Sequence, residues 1–298
     1  MVPVFDLPHS CDCCCAYSHK WDLAKLSKWK HQKNNSRKFL YQNARINFIK
    51  LGKGFPLIML HGGGSWSYTY RHNVEELSKS YTVYLIDIPG HGFSEIPEKW
   101  DYSLESINLL LKEFFKKQKI ETAHIMGHSW GGGWALYFML QNSNLIDKAV
   151  LISSSGPTET NKMDRSAWRY LRYPIIDKII LWSVNFYLFK NTYKKKLFYN
   201  EKLISNVEIE EVYKPFSKKE NLISQAIYQK KLDWTYTGHE MEKIKRALVI
   251  WGDKDEFYPI EMIQSFHCER KIIHNCGHLP HEEKPKDFNE SVNDFLKR

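Results

Sequence analysis

Nowhere does this 298-residue chain carry about 18 consecutive apolar residues, the length a membrane-spanning helix needs, so no such helix is expected. Met1 to Lys20 lacks a basic stretch followed by an apolar one, the pattern of a secretory signal, and the expected location is the cytoplasm. Cysteine is scarce outside one place: Cys11, Cys13, Cys14 and Cys15 cluster, while Cys268 and Cys276 lie far away. No second Cys or His pair at zinc-ligand spacing completes the cluster, so no metal and no cofactor is expected. The cluster sits in a tail, residues 1–37, expected to be poorly ordered apart from a short amphipathic helix over Trp21 to Trp29. S-acylation there, tethering the protein to a membrane, is the alternative. No internal repeat of 20 to 50 residues is visible. The lysines are scattered and no recognition fold accompanies them, which argues against nucleic acid as a partner.

What the chain does have is Gly127-His128-Ser129-Trp130-Gly131-Gly132, where an apolar strand, Thr122 to Met126, runs into a helical stretch, Trp130 to Leu140. This is the pattern of a nucleophile elbow. Glycines at 127 and 131 avoid Cβ collisions with the neighbouring strand and helix while the turn holds Ser129 in a strained conformation. Upstream, the apolar run Pro56 to Leu60 ends in His61-Gly62-Gly63-Gly64. Its bare backbone, with Gly63 as donor, reads as half of an oxyanion hole, and the N–H of Trp130 as the other half. Thr82 to Ile86 is another buried strand, opening into a turn, Asp87-Ile88-Pro89-Gly90-His91-Gly92-Phe93-Ser94. His61, His91 and His128 read as residues that stabilise these loops.

Towards the C-terminus, Ala247 to Trp251 is a strand ending in Gly252-Asp253-Lys254-Asp255-Glu256, and Lys271 to Ile273 leads to Asn275-Cys276-Gly277-His278. Serine, acid and histidine follow in that order, each after a candidate strand, where ligands sit in open parallel sheets. Over residues 40 to 298 the chain resembles the α/β-hydrolase superfamily in its capped esterase, lipase and C–C hydrolase-like branch. Four motifs carry the resemblance: the His-Gly loop at 61, the Asp-x-Pro-Gly-His-Gly-x-Ser loop at 87, the elbow at 127, and the closing G-x-x-D and G-H pair. The resemblance implies an α/β fold, a mostly parallel doubly wound sheet with helices on both faces and an inserted helical cap. It places the acid at Asp255 and the base at His278. Asp253 and Glu256 flank that acid and offer carboxylates of their own; His274 and His281 flank the base.

The implied chemistry follows from proton accounting. Asp255 orients His278, His278 takes the proton of Ser129, and the serine attacks a carbonyl to form an acyl-enzyme that water then hydrolyses. Trp130 after the nucleophile also resembles haloalkane dehalogenases and epoxide hydrolases, but those use aspartate because its alkyl ester can be hydrolysed. A serine would be left as a stable ether, which excludes their reactions. The expected function is cleavage of a carboxylic ester or thioester of a small to medium apolar substrate. The alternatives are a C–C bond hydrolase, a proline-iminopeptidase-like amidase, or a non-catalytic receptor on the same fold.

The core is expected to comprise residues 38–156 and 246–298, with a strand pair over Arg37 to Gln42 and Ala44 to Leu51 and a helix over Ser103 to Lys119. A further strand is expected at Asp147 to Ser153. Residues 157–245 read as the cap: strands vanish, and aromatics such as Trp168, Tyr170, Trp182, Phe186, Phe189, Tyr193 and Phe198 mix with lysines. Over 157–246, Lys and Arg outnumber Asp and Glu by 18 to 11, which accounts for most of the chain's net charge of +9. Such a lid could steer an acidic carrier protein or a phospholipid surface towards the site.

Overall fold

Strands buried on both faces need apolar residues at every position, not at alternate ones, and the central runs of this chain meet that demand. The computed structural model of the protein describes residues 27–156, 173, 185–234 and 244–298. It contains an eight-stranded sheet: β1 (Ser36–Tyr41), β2 (Ala44–Leu51), β3 (Phe55–Leu60), β4 (Tyr81–Ile86), β5 (Ala123–His128), β6 (Ile146–Ile152), β7 (Ala247–Gly252) and β8 (Glu269–Ile273). The spatial order is β1-β2-β4-β3-β5-β6-β7-β8. β1 and β2 form an antiparallel hairpin and β2 runs antiparallel to β4; every other pairing is parallel. Gln42 and Asn43, at the hairpin tip, both have positive φ (46° and 63°), as a two-residue turn matching the strand twist requires.

Among the described residues the α-helices are α1 (Lys30–Asn34), α2 (Val74–Leu77), α3 (Leu104–Gln118), α4 (Trp130–Gln141), α5 (Phe186–Leu197), α6 (Asn206–Phe216), α7 (Lys219–Lys231), α8 (Pro280–Glu283) and α9 (Pro285–Lys297). On one face of the sheet, Ile58 and Leu60 pack with Ile107, Leu110, Leu111 and Phe114 of α3 and with Trp134 and Phe138 of α4. On the other, Leu57 and Met59 pack with Val74 and Leu77 of α2 and Phe288, Val292 and Phe295 of α9. The start and stop of α3 are local: the Ser103 hydroxyl accepts from the Ser106 amide, and Lys119 ends the helix in the left-handed conformation.

Strand boundaries differ from expectation where pairing outlasts hydrophobicity. β5 continues through Gly127 and His128 because His128 still pairs with Ile152 of β6. β8 begins at Glu269 because it is an edge strand whose first four residues are exposed. The expected tail boundary is also corrected. Residues 27–37 are built into the fold, because Trp29 packs edge-on against Trp66 and Tyr68 at 5.9 and 5.4 Å and the buried Ser27 donates to Glu211 of α6 at 2.7 Å. The cysteine cluster, and the expected helix up to Leu26, lie outside the described residues, as do Trp168, Tyr170 and Trp182. Among the described residues no helix is long and apolar enough to cross a membrane.

Helices α5 to α7 lie over the loops that leave β3 and β4. Phe189, Tyr193, Phe198, Ile209, Val212 and Phe216 form a shared core with Trp66 and Tyr68 of the β3 loop and with Leu279. Tyr228 of α7 donates to the Pro89 carbonyl and accepts from Trp100 Nε1, both at 2.9 Å. These described aromatics are therefore packing residues between the helices and the sheet's loops, while Tyr187 and Tyr199 are exposed.

Candidate active site

Ser129 stands between β5 and α4 with φ 53° and ψ −118°, a left-handed-side conformation that a residue with a Cβ adopts only when its surroundings impose it. They do so through its main-chain hydrogen bonds. Its N–H donates to Ile152 O at 2.9 Å, and its carbonyl accepts from Gly132 at 3.0 Å and from Ser155 at 3.0 Å. The turn also needs bare backbone on either side. A Cβ on Gly127 would lie 2.0 Å from the Gly131 carbonyl oxygen, and one on Gly131 2.4 Å from the carbonyl oxygens of Leu60 and His61.

The β3 loop passes alongside the serine: a Cβ on Gly62 would come within 3.2 Å of Ser129 Cβ, and one on Gly63 within 2.5 Å of the Trp130 ring. Within that loop the Gly64 amide is committed to Gln225 of α7 at 2.9 Å. Neither the Gly63 nor the Trp130 N–H donates to a protein acceptor among the described residues. His61 braces the loop, its Nδ1 donating to Gly62 O at 2.8 Å and its Nε2 accepting from the Ile88 amide at 3.0 Å. Asp87 is fully buried and ties three segments together, taking hydrogen bonds from Ser67, Asn47 and the Phe93 amide. His91 packs against His61, Trp134 and Tyr228.

Of the three carboxylates in the loop after β7, Asp255 alone reaches His278. Its Oδ2 accepts from His278 Nδ1 at 2.8 Å, and its Oδ1 accepts from the Phe257 and Tyr258 amides at 2.8 and 2.9 Å. Because a carboxylate can only accept, the bond fixes the proton of neutral His278 on Nδ1 and leaves Nε2 as its basic nitrogen. Asp253 instead pairs with exposed His274, and Glu256 with Lys196 on the surface. The His278 ring is enclosed by Phe257 at 4.9 Å, Tyr258 at 5.3 Å and His128 at 4.8 Å. Ser129 and His278 are neighbours through His128, whose Nε2 donates to the His278 carbonyl at 2.9 Å. Among the described residues the serine hydroxyl and His278 are not hydrogen-bonded; such contacts commonly tighten only when substrate is bound.

Behind this centre runs a buried polar chain that sequence reading missed. His281 Nε2 donates to Thr69 Oγ1 at 2.7 Å, Thr69 donates to Glu282 at 2.6 Å, and Glu282 accepts from Arg71 at 2.7 Å. Arg71 also reaches Glu208 of α6 at 2.9 Å. The acidic pair Glu282-Glu283, shortly after His278, was the available signal: adjacent carboxylates in a segment rich in buried residues need partners.

Burial drives His128, His281 and His91 well below the ordinary histidine value, lowers His61, and brings His124 down to about 4. These rings are neutral in the fold, so the unfolded chain takes up protons first as pH drops below about 6.5, and stability falls with pH from there. The melting temperature is therefore expected to decline from pH 7 to pH 5, above the range in which ordinary carboxylates titrate. A calorimetric series that stays flat over this interval would contradict the assignment of neutral buried histidines.

A family model described as the alpha/beta hydrolase fold matches residues 56–285. This chain is an α/β-hydrolase. Among its relatives is an uncharacterized hydrolase, YugF, of Bacillus subtilis, 25% identical over 247 residues that make up 81% of this chain and 89% of the relative. A 2-hydroxy-6-oxononadienedioate/2-hydroxy-6-oxononatrienedioate hydrolase of Dechloromonas aromatica is 28% identical over 270 residues, covering 85% and 90% of the two chains. Epoxide hydrolase 3 of Xenopus tropicalis is 25% identical over 279 residues, covering 85% and 75%. Among solved structures, a meta-cleavage product hydrolase from Pseudomonas fluorescens shares the fold with a TM-score of 0.73 at 22% identity, over 88% of this α/β-hydrolase and 98% of the other chain.

Proposed function

We propose that this α/β-hydrolase cleaves carboxylic esters or thioesters of small to medium apolar acyl substrates, with Ser129 as nucleophile, His278 as base and Asp255 as the acid that orients it. The observation that carries the reading is the buried Asp255–His278 hydrogen bond beside a serine held in a strained turn at the start of α4. In the first step Nε2 of His278 takes the hydroxyl proton as Ser129 Oγ bonds to the carbonyl carbon. The oxyanion that forms is received by the Gly63 and Trp130 amides. Collapse expels the alcohol or thiol, which leaves with the proton from His278. Water then repeats the sequence on the acyl-enzyme, releases the acid and restores the serine. The half-buried ring of Trp130, directly after the nucleophile, favours an apolar acyl group.

Serine at the elbow sets this chain apart from the chemistry in the name of its epoxide hydrolase relative. An attack on an epoxide carbon would leave an ether on Ser129 that water cannot resolve. The name of the Dechloromonas relative favours one second reading, hydrolysis of a C–C bond next to a ketone, which the same serine and histidine could perform. Two substrate series decide between them. p-Nitrophenyl esters from acetate to palmitate are expected to turn over with a chain-length optimum. A 2-hydroxy-6-oxo-dienoate, followed by loss of its dienol absorbance, is expected to be stable. Cleavage of the dienoate alone would replace the ester reading with the C–C one, and a folded protein inert to both would refute catalysis on these substrates.

A further inference from the structure

Glu283 lies in α8, five residues after His278, and its side chain points back under the histidine loop. Its Oε1 accepts from the amide of Gly277, the residue before His278, at 2.6 Å. The same carboxylate accepts from two amides just past the end of α5, Tyr199 at 3.1 Å and Asn200 at 3.2 Å. The thiol of Cys276 is a further neighbour at 3.8 Å. A direct backbone bond runs parallel to this joint, from His278 N–H to Leu197 O at 2.8 Å. Packing is equally close: a Cβ on Gly277 would lie 2.6 Å from Leu197 O and 2.7 Å from Tyr199 N. The segment Leu197–Asn200 and the loop Cys276–His278 are thus tied to each other through one buried carboxylate and one backbone bond.

We propose that Glu283 is a positioning residue that makes the placement of His278 depend on the seating of α5 over the active site. This rests on the reading of His278 as the base. A carboxylate accepting several amide N–H groups makes strong, charge-assisted bonds, whereas a neutral side chain leaves some of those buried donors unmatched. Glu283 touches neither substrate nor Ser129. It acts through the main chain on which His278 is carried, and a misplacement of about 1 Å at such a residue can cost about 10²-fold in rate. Helix α5 lifted away from the sheet would take two of the donors with it, so the base would be in register only when the helix is seated.

The test compares wild type, Glu283→Gln, Glu283→Asp and Ser129→Ala. Two readouts are used: labelling by a fluorophosphonate, which needs an activated serine but no particular substrate, and amide hydrogen exchange. Glu283→Gln is expected to lower the labelling rate and kcat about 10²-fold with KM nearly unchanged. Exchange is expected to rise together at 197–200 and 276–278 while the central strands stay protected. Glu283→Asp, which keeps the charge, should recover part of the rate and stands in if the glutamine variant does not fold. Wild-type labelling or kcat in a folded Glu283→Gln, or faster exchange confined to 276–278, overturns the proposal. If wild type is not labelled, or Ser129→Ala is labelled equally, it is the serine hydrolase reading that fails, and this proposal falls with it.

Discussion

Ser129→Ala is expected to abolish ester turnover, lowering kcat by about 10⁴-fold or more, while leaving the melting temperature close to that of the wild type. The first half follows from chemistry: without Oγ no acyl-enzyme forms, and only the oxyanion donors and substrate binding remain. The second follows from geometry. Alanine keeps the Cβ, so it keeps the same backbone strain at φ 53° and ψ −118°, and the bonds to Ile152, Gly132 and Ser155 involve main-chain atoms alone. Ser129→Gly gives an internal control, because glycine occupies that region with little strain. It should be equally inactive yet more stable than the alanine variant, by on the order of 1 kcal/mol. Steady-state hydrolysis of a short p-nitrophenyl ester and thermal melts of the three proteins measure both effects. Residual activity above about 1% of wild type in the alanine variant would remove Ser129 from the nucleophile's place.

The strained elbow is legible in the sequence because its cause is local. Gly127 and Gly131 are needed by backbone contacts within a few residues and with the adjoining β3, and a sequence records such needs as bare positions around one serine. The central strands were legible for a similar reason: burial on both faces leaves uninterrupted apolar runs such as Leu57 to Leu60. Helix α9 was not singled out, although Phe288, Val292, Phe295 and Leu296 follow helical spacing after Pro285, because Asn and charged residues dilute the run. Trp29 and Ser27 were read as tail because their partners, Trp66 and Glu211, lie about 40 and 180 residues away along the chain. For the polar chain from His281 to Arg71 and the contacts of Glu283 the sequence offers only the hint of adjacent carboxylates at 282 and 283 and not their partners, for the same reason. Each is a meeting of α8 with the β3 loop or with α5, and no spacing rule along one segment records such a meeting. Among Asp253, Asp255 and Glu256 composition alone favours none; the G-x-x-D pattern of the resemblance points to Asp255, and geometry adds the reason, since its carboxylate is the one of the three that reaches His278.

That choice yields the other large expected effect. Asp255→Asn is expected to lower kcat by about 10⁴-fold while the protein stays folded. The asparagine carbonyl can still accept from the Phe257 and Tyr258 amides, as Oδ1 does now, so the loop keeps its shape. Its NH₂ then faces His278 Nδ1, where the carboxylate oxygen stands at 2.8 Å. Two donors cannot share that contact, so the imidazole moves its proton to Nε2 and loses the lone pair that would take the proton of Ser129. The charge that stabilises the imidazolium in the transition state is lost at the same time. Glu256→Gln alters only a surface pair with Lys196; Asp253→Asn alters the pair with exposed His274 and keeps an oxygen that can accept from the Cys276 amide at 3.4 Å, so both should leave kcat/KM within a few-fold of wild type. Rates for the three variants on one short ester, with circular dichroism as the check on folding, compare the carboxylates directly. An active Asp255→Asn beside an inactive Asp253→Asn would transfer the acid's role across the loop and would require His278 to move away from the position it occupies between Phe257, Tyr258 and His128.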